Sequence, residues 1–320
     1  KLTKLTYEML NNDLLSKIIQ FTINSIEGGD IIYVCALVIA LSKHLNEESA
    51  KTIFNKFEKI GREETDSIKL NSILHTIKKL IKLYSIDAIS FITDIINGNI
   101  RYFGGLPVYT IQDPKTMIFI FITMYVRKFP QNSDDICSKL IDFVPNVSYV
   151  LLPSILEPIE SGITAGIVSN EKAIQLSSSV LETLDKLLLE DEMEVVACIE
   201  ILRKINVRYS ILDNLKTLSV LQRLLESSQE NGELSLEGPI IHFVFELVLD
   251  ESKKNQNCQF NNDFLINILK KLPLPPQSRY SVEIMTLLTN DLIENTEKFG
   301  FLSFQGLIAI VELLISQNLS

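Results

Sequence analysis

One pattern recurs along nearly the whole of this chain: an amphipathic segment of about 12–20 residues, a short polar break, then another segment. Between positions 13 and 26, Leu14, Leu15, Ile18, Ile19, Thr22 and Ile26 fall at helical spacing, and Gly28-Gly29 then stop the segment. Asp30 is placed to cap the next, 31–45, which is apolar on nearly every side at its start. Segments 47–61, 65–85 and 86–98 follow, with Ile53, Phe54, Phe57 and Ile60 forming the stripe of the first and Gly61 its expected C′ residue. A second series resumes at 170–190, 192–206 and 211–229, and continues through 239–252, 261–273, 280–300 and 303–317. Thirteen to fifteen helices and no strand are therefore expected.

Residues 116–126, TMIFIFITMYV, test that reading. A bilayer-spanning helix needs about 20 apolar residues, roughly twice this run. Its Ile and Phe content suits a strand. Asp113-Pro114 before it is instead a helix start, since Asp accepts free amides and Pro at the first helical position loses nothing. Pro130 closes a span of helical length, so a core helix over 114–129, covered on most sides, is expected.

Two stretches interrupt the pattern. Residues 99–113 hold Gly104-Gly105 and Pro107 among Tyr102, Phe103 and Tyr109, which suits a loop. Residues 144–169 hold Pro145, Pro153, Pro158, Gly162 and Gly166, the composition of short helices broken by prolines. The expected organisation is an N-terminal helical part (1–143), an irregular junction (144–169) and a C-terminal helical part (170–320). Together they form one continuous array. Because the chain begins at Lys1, it is expected to be a piece of a longer protein.

Successive helix pairs recur every 35–45 residues or so, and in this the chain resembles the HEAT and armadillo superfamily. The resemblance lies in architecture over most of the chain and in no specific motif. It implies an all-α fold, a right-handed α-solenoid of stacked antiparallel helix pairs with irregular repeats. Each pair would bury its apolar face by stacking on its neighbours.

Chemistry-bearing residues are sparse. His44, His75 and His242 lie apart from one another, with no HExxH around them, and Gly104-Gly105 lacks phosphate-loop spacing. The acidic 190–195 turn lacks the glycine-containing loop that calcium coordination uses. Cys35, Cys137, Cys198 and Cys258 form no CxxC pair and suit buried thiols of a reducing compartment, cytosol or nucleus. No catalytic, cofactor or metal site is expected.

Charge is uneven: residues 1–130 hold 16 basic and 13 acidic side chains, while the rest hold 14 and 27. Lys78, Lys79 and Lys82, together with Lys51, Lys56, Lys59 and Arg62 on the preceding helix, are candidates for a positive face. Tyr102, Phe103 and Tyr109 are candidate anchors for a partner on a loop. The function expected is a non-enzymatic scaffold, a subunit or domain holding other proteins of a multi-subunit intracellular assembly. The alternative is a nucleic-acid-associated helical module using the lysine face, in RNA processing or on chromosomes.

Overall fold

The computed structural model describes residues 12–64, 66–97, 114–187, 192–231 and most of 239–247. Every element among them is helical. They are α1 (Asn12–Ser25), α2 (Ile31–Leu41), α3 (Glu47–Glu63), α4 (Ser67–Leu83), α5 (Ile89–Ile96), α6 (Pro114–Lys128), α7 (Asp134–Phe143), α8 (Leu152–Ala165), α9 (Asn170–Leu184), α10 (Glu192–Tyr209) and α11 (Asn214–Asn231). The described part of 239–247 is helical as well. The segments expected beyond it, and the loop 99–113, lie outside the described residues.

Local chemistry starts these helices. Asp30 accepts from Ile32 N at 3.0 Å, Asn46 from Ser49 N at 2.8 Å, and Asp66 from Ile68 N and Lys69 N at 2.8 and 3.1 Å. Each removes orphan amides that a helix N-terminus cannot pair internally. Ser133, at the start of α7, makes no such cap: its hydroxyl donates backward to Phe129 O at 2.7 Å.

The chain divides into two compact units, Lys1–Leu176 and Ser177–Ser320. In the first, α2, α4, α6 and α8 pack one on the next to form a front row. Their C-terminal ends lie together. Tyr84 Oη, just past α4, sits 2.7 Å from Ser42 O and 2.7 Å from Leu45 O beyond α2. Lys128 Nζ at the end of α6 donates to the carbonyls of Ile81, Lys82 and Tyr84. Arg127 donates to Ser161 Oγ, in the last turns of α8, at 3.0 Å. The four therefore run parallel.

Behind them lie α1, α3, α5 and α7. Packing joins α1 to α3 and α5 to α7, while α1–α2, α3–α4 and α7–α8 are paired front to back. Arg62 of α3 completes the back row by pairing with Asp94 of α5 and lying 5.8 Å over the Phe91 ring. Phe91 of α5 meets Phe121 of α6 edge to face at 6.2 Å.

This arrangement explains the apolar run. Ile118, Phe119, Phe121, Ile122, Tyr125 and Val126 are all buried, because α6 has α4 and α8 on its flanks and α5 behind. Each such side chain contributes about 1.5–3 kcal/mol on burial, which outweighs the strand propensity of Ile and Phe.

Two expectations fail for tertiary reasons. Gly61 is not a C′ residue; α3 runs past it to Glu63. A Cβ there would stand 3.3 Å from Phe91 and 3.4 Å from Ile73, so glycine permits a close approach. The prolines of 144–169 do not break the chain into fragments throughout. Short 3-10 turns occupy Val144–Asn146 and Tyr149–Leu151, but α8 then runs 14 residues straight through the buried Pro158. Packing against α6 and α7 offsets the backbone bond that Pro158 cannot make. The helix ends at Gly166, whose φ of 75° only glycine adopts without strain, with Ile167 N bonded to Gly162 O at 3.1 Å.

In the second unit, α10 buries Val195, Cys198, Ile199, Ile201, Leu202 and Ile205. Its Arg203 forms a two-pronged pair with Glu246, Nε to Oε2 at 2.7 Å and Nη2 to Oε1 at 2.6 Å.

Candidate interaction surface

Helix α4 is held on three sides, by α2, α6 and α3. Leu70, Ile73, Leu74, Ile77, Leu80 and Ile81 are buried there. The outward side carries positions 68, 72, 75, 78, 79 and 82, at the spacing that puts side chains on one helix face, with Lys69 and Leu83 also exposed near its two ends. Ile68, His75 and Lys82 are exposed on it, and Lys78 and Lys79 are half-buried along their stems. Partial desolvation of its inner edge against the helix, with the adjacent Lys78 and Lys79 charges adding to it, holds the His75 imidazole below its ordinary value of 6.5. The ring is therefore neutral at pH 7.

The seven cations read from the sequence do not form one patch. On α3, Lys51 pairs with Glu47 at 3.1 Å, Lys56 with Glu27 at 2.8 Å, and Arg62 with Glu58 at 2.9 Å and with Asp94. Lys56 and Arg62 thus reach along the back row toward α1 and α5. The Lys56 hydrogen bond and charge, assisted by Lys59, hold the Glu27 carboxyl below its ordinary value. On α4, by contrast, no carboxylate among the described residues comes within salt-bridge distance of Lys78, Lys79 or Lys82. Among the described residues these three lysines, like Lys59 on α3, have no salt-bridge partner, whereas Lys51, Lys56 and Arg62 are matched.

The first turns of α2 and α4 also meet. They border a cleft of about 600 Å³ whose floor of Ile26, Ile31, Ile32 and Ile60 is ringed by both signs of charge, Lys56, Lys59 and Lys69 with Glu27, Asp30, Glu63 and Glu64. Beside it Tyr33 and Ile68 are exposed at 76% and 66%. No periodicity argument singled them out, because an outward apolar residue at helical spacing looks like part of a buried stripe. Front-row charge changes sign on α8, where Glu157 accepts from Arg127 Nη2 at 3.4 Å and Glu160 lies one turn on.

The remaining candidates have structural settings or lie elsewhere. Tyr102, Phe103 and Tyr109 are outside the described residues. Cys35, Cys137 and Cys198 are buried free thiols, and Cys258 is outside the described residues. Burial raises Cys35 to about 11 and Cys137 and Cys198 to about 12, so all three are protonated and unreactive at neutral pH. His242 is buried with Nε2 3.8 Å from Glu246 Oε1, an oxygen already held by Arg203. Among the described residues no three His, Cys, Asp or Glu side chains converge as a metal site would require, and no helix is long and apolar enough to cross a membrane.

No family model, curated protein or solved structure matches this chain. Its function has to be argued from the surface itself.

Proposed function

We propose that this chain is a non-enzymatic scaffold, a subunit or domain of a larger intracellular protein assembly. In this reading its helix pairs stack as a right-handed α-solenoid with irregular repeats, in the manner of HEAT and armadillo proteins. The observation that carries the reading is the front row. Four parallel helices pack in sequence, α2 on α4 on α6 on α8, and among the described residues α2 and α4 leave outward positions exposed, Ile32, Tyr33 and Ala36 on one and Ile68, His75 and Lys82 on the other. Stacked pairs of this kind present side chains from successive repeats as one extended recognition surface. The three free, buried cysteines fit a reducing compartment, cytoplasmic or nuclear.

Crosslinking of the full-length protein in its purified assembly tests this. Lysine-reactive reagents are expected to join a protein partner to Lys78, Lys79 and Lys82 of the front row. Partner links confined to Lys17 and Lys51 on the back row, or substrate turnover by the chain alone, would refute the proposal. The nucleic-acid alternative draws on the same three lysines, and RNA or DNA crosslinked there in place of protein would establish it.

A further inference from the structure

We propose that the front-row surface of α4 takes an acidic, extended protein segment that also carries an apolar anchor. This inference rests on the scaffold reading above and adds the chemistry of the partner. Charge complementarity selects the acid. Among the described residues, Lys78, Lys79 and Lys82 project from one stripe without a carboxylate within salt-bridge distance, whereas the neighbouring Lys51, Lys56 and Arg62 are matched. His75, flanked by Lys78 and Lys79 on its own helix, is neutral at pH 7 and serves as a hydrogen-bonding group, not a fourth charge. The anchor follows from the other end of the stripe, where Ile68 and Tyr33 stand exposed beside the cleft bordered by Ile32 and Lys69.

Spacing makes the proposal specific. Ile68 and Lys79 are separated by about 16 Å along the helix axis at 1.5 Å per residue. An extended peptide covers that distance in about five residues. The segment should therefore carry Asp or Glu about five residues from a large aliphatic or aromatic side chain. A nucleic acid suits the surface less well. Ile32 and Ile68 offer a nucleotide no hydrogen bonds, and Tyr33 is a single exposed ring at this end, short of the succession of stacking planes that a single strand uses.

Selection of a random-peptide display library on the immobilised chain decides the matter, with poly-uridine RNA titrated in parallel. Enriched peptides are expected to hold an acidic pair about five residues from an apolar residue. Lys78→Glu/Lys79→Glu should weaken them about tenfold or more, Ile68→Ser several-fold, and Lys17→Glu on α1 not at all. Lys78→Gln/Lys79→Gln, which removes charge without reversing it, should fall between. All these sites lie at the surface, and unchanged helical circular dichroism verifies folding. Peptides without acidic enrichment, binding unaffected by the double reversal, or RNA binding tighter than any selected peptide would overturn the inference. If the crosslinks above reach the front row but the partner segment there is not acidic, this inference fails while the scaffold reading stands.

Discussion

Lys128 Nζ lies 3.0 Å from the carbonyl oxygen of Tyr84, and in that contact the end of α6 caps the end of α4. The same ammonium donates to the carbonyls of Ile81 and Lys82, three acceptors that a helix C-terminus leaves without internal donors. Tyr84 in turn places its hydroxyl against Ser42 O and Leu45 O beyond α2, so one chain of polar contacts sets the alignment of three front-row helices. Lys128→Met keeps the stem and removes the donors. It should cost about 1–2 kcal/mol, because partly exposed charged hydrogen bonds deliver less than buried ones. Urea unfolding should show a lower midpoint at constant slope; an unchanged midpoint would mean the contacts are incidental.

Gly162 of α8 faces Cys137 of α7 so closely that an added Cβ would stand 2.5 Å from the sulfur. Gly162→Ala should destabilise by about 1–3 kcal/mol despite alanine's better helix propensity. Cys137→Ala removes the colliding atom. In that background the penalty of Gly162→Ala should shrink by about 1 kcal/mol or more, a coupling that a double-mutant cycle measures directly. Strict additivity would contradict the packing described.

The buried thiols give a pH-dependent expectation. Burial holds Cys35 protonated up to about 11 in the folded chain against 9.0 for the ordinary thiol. Between those values the unfolded chain has released a proton that the folded chain still binds, so stability should fall as pH rises from 9 toward 11. In a Cys258→Ser variant at pH 8, alkylation of Cys35, Cys137 and Cys198 should proceed no faster than global unfolding. Rapid labelling of any of them in native protein would be incompatible with their burial.

Arg203 engages both oxygens of Glu246 and also donates to Glu200 at 3.0 Å. These carboxylates hold the guanidinium in its charged form. Glu246→Gln leaves a half-buried cation short of its partner and should cost about 1–3 kcal/mol, discounted for partial exposure. Replacing both, Arg203→Met with Glu246→Leu, should cost less than Glu246→Gln alone, as thermal or chemical unfolding would reveal.

Sequence carried the all-helical class and many helix starts, because both are written in short-range signals. The expectation that Asp30 caps α2 holds at 3.0 Å, and the apolar run proves to be a helix over Pro114–Lys128. At Gly61 and Pro158 tertiary packing overrides the local rules. Gly61 reads as a stop until Phe91 and Ile73 are seen against it, and Pro158 reads as a break until α6 and α7 are seen to support α8. For the surface, the sequence placed Lys78, Lys79 and Lys82 on one side of a helix, but it could not show which cations were already matched. That depends on Glu27 and Asp94, which approach Lys56 and Arg62 from other helices.

A helix enclosed on three sides has only one side where exchanging residues is structurally inexpensive. Along Ser67–Leu83, most positions are committed to neighbours, and those of the outward stripe are not. Substitutions can therefore accumulate on that side of α4 with the fold's stability nearly untouched, so that the proposed recognition surface is free to diverge while the architecture stays fixed.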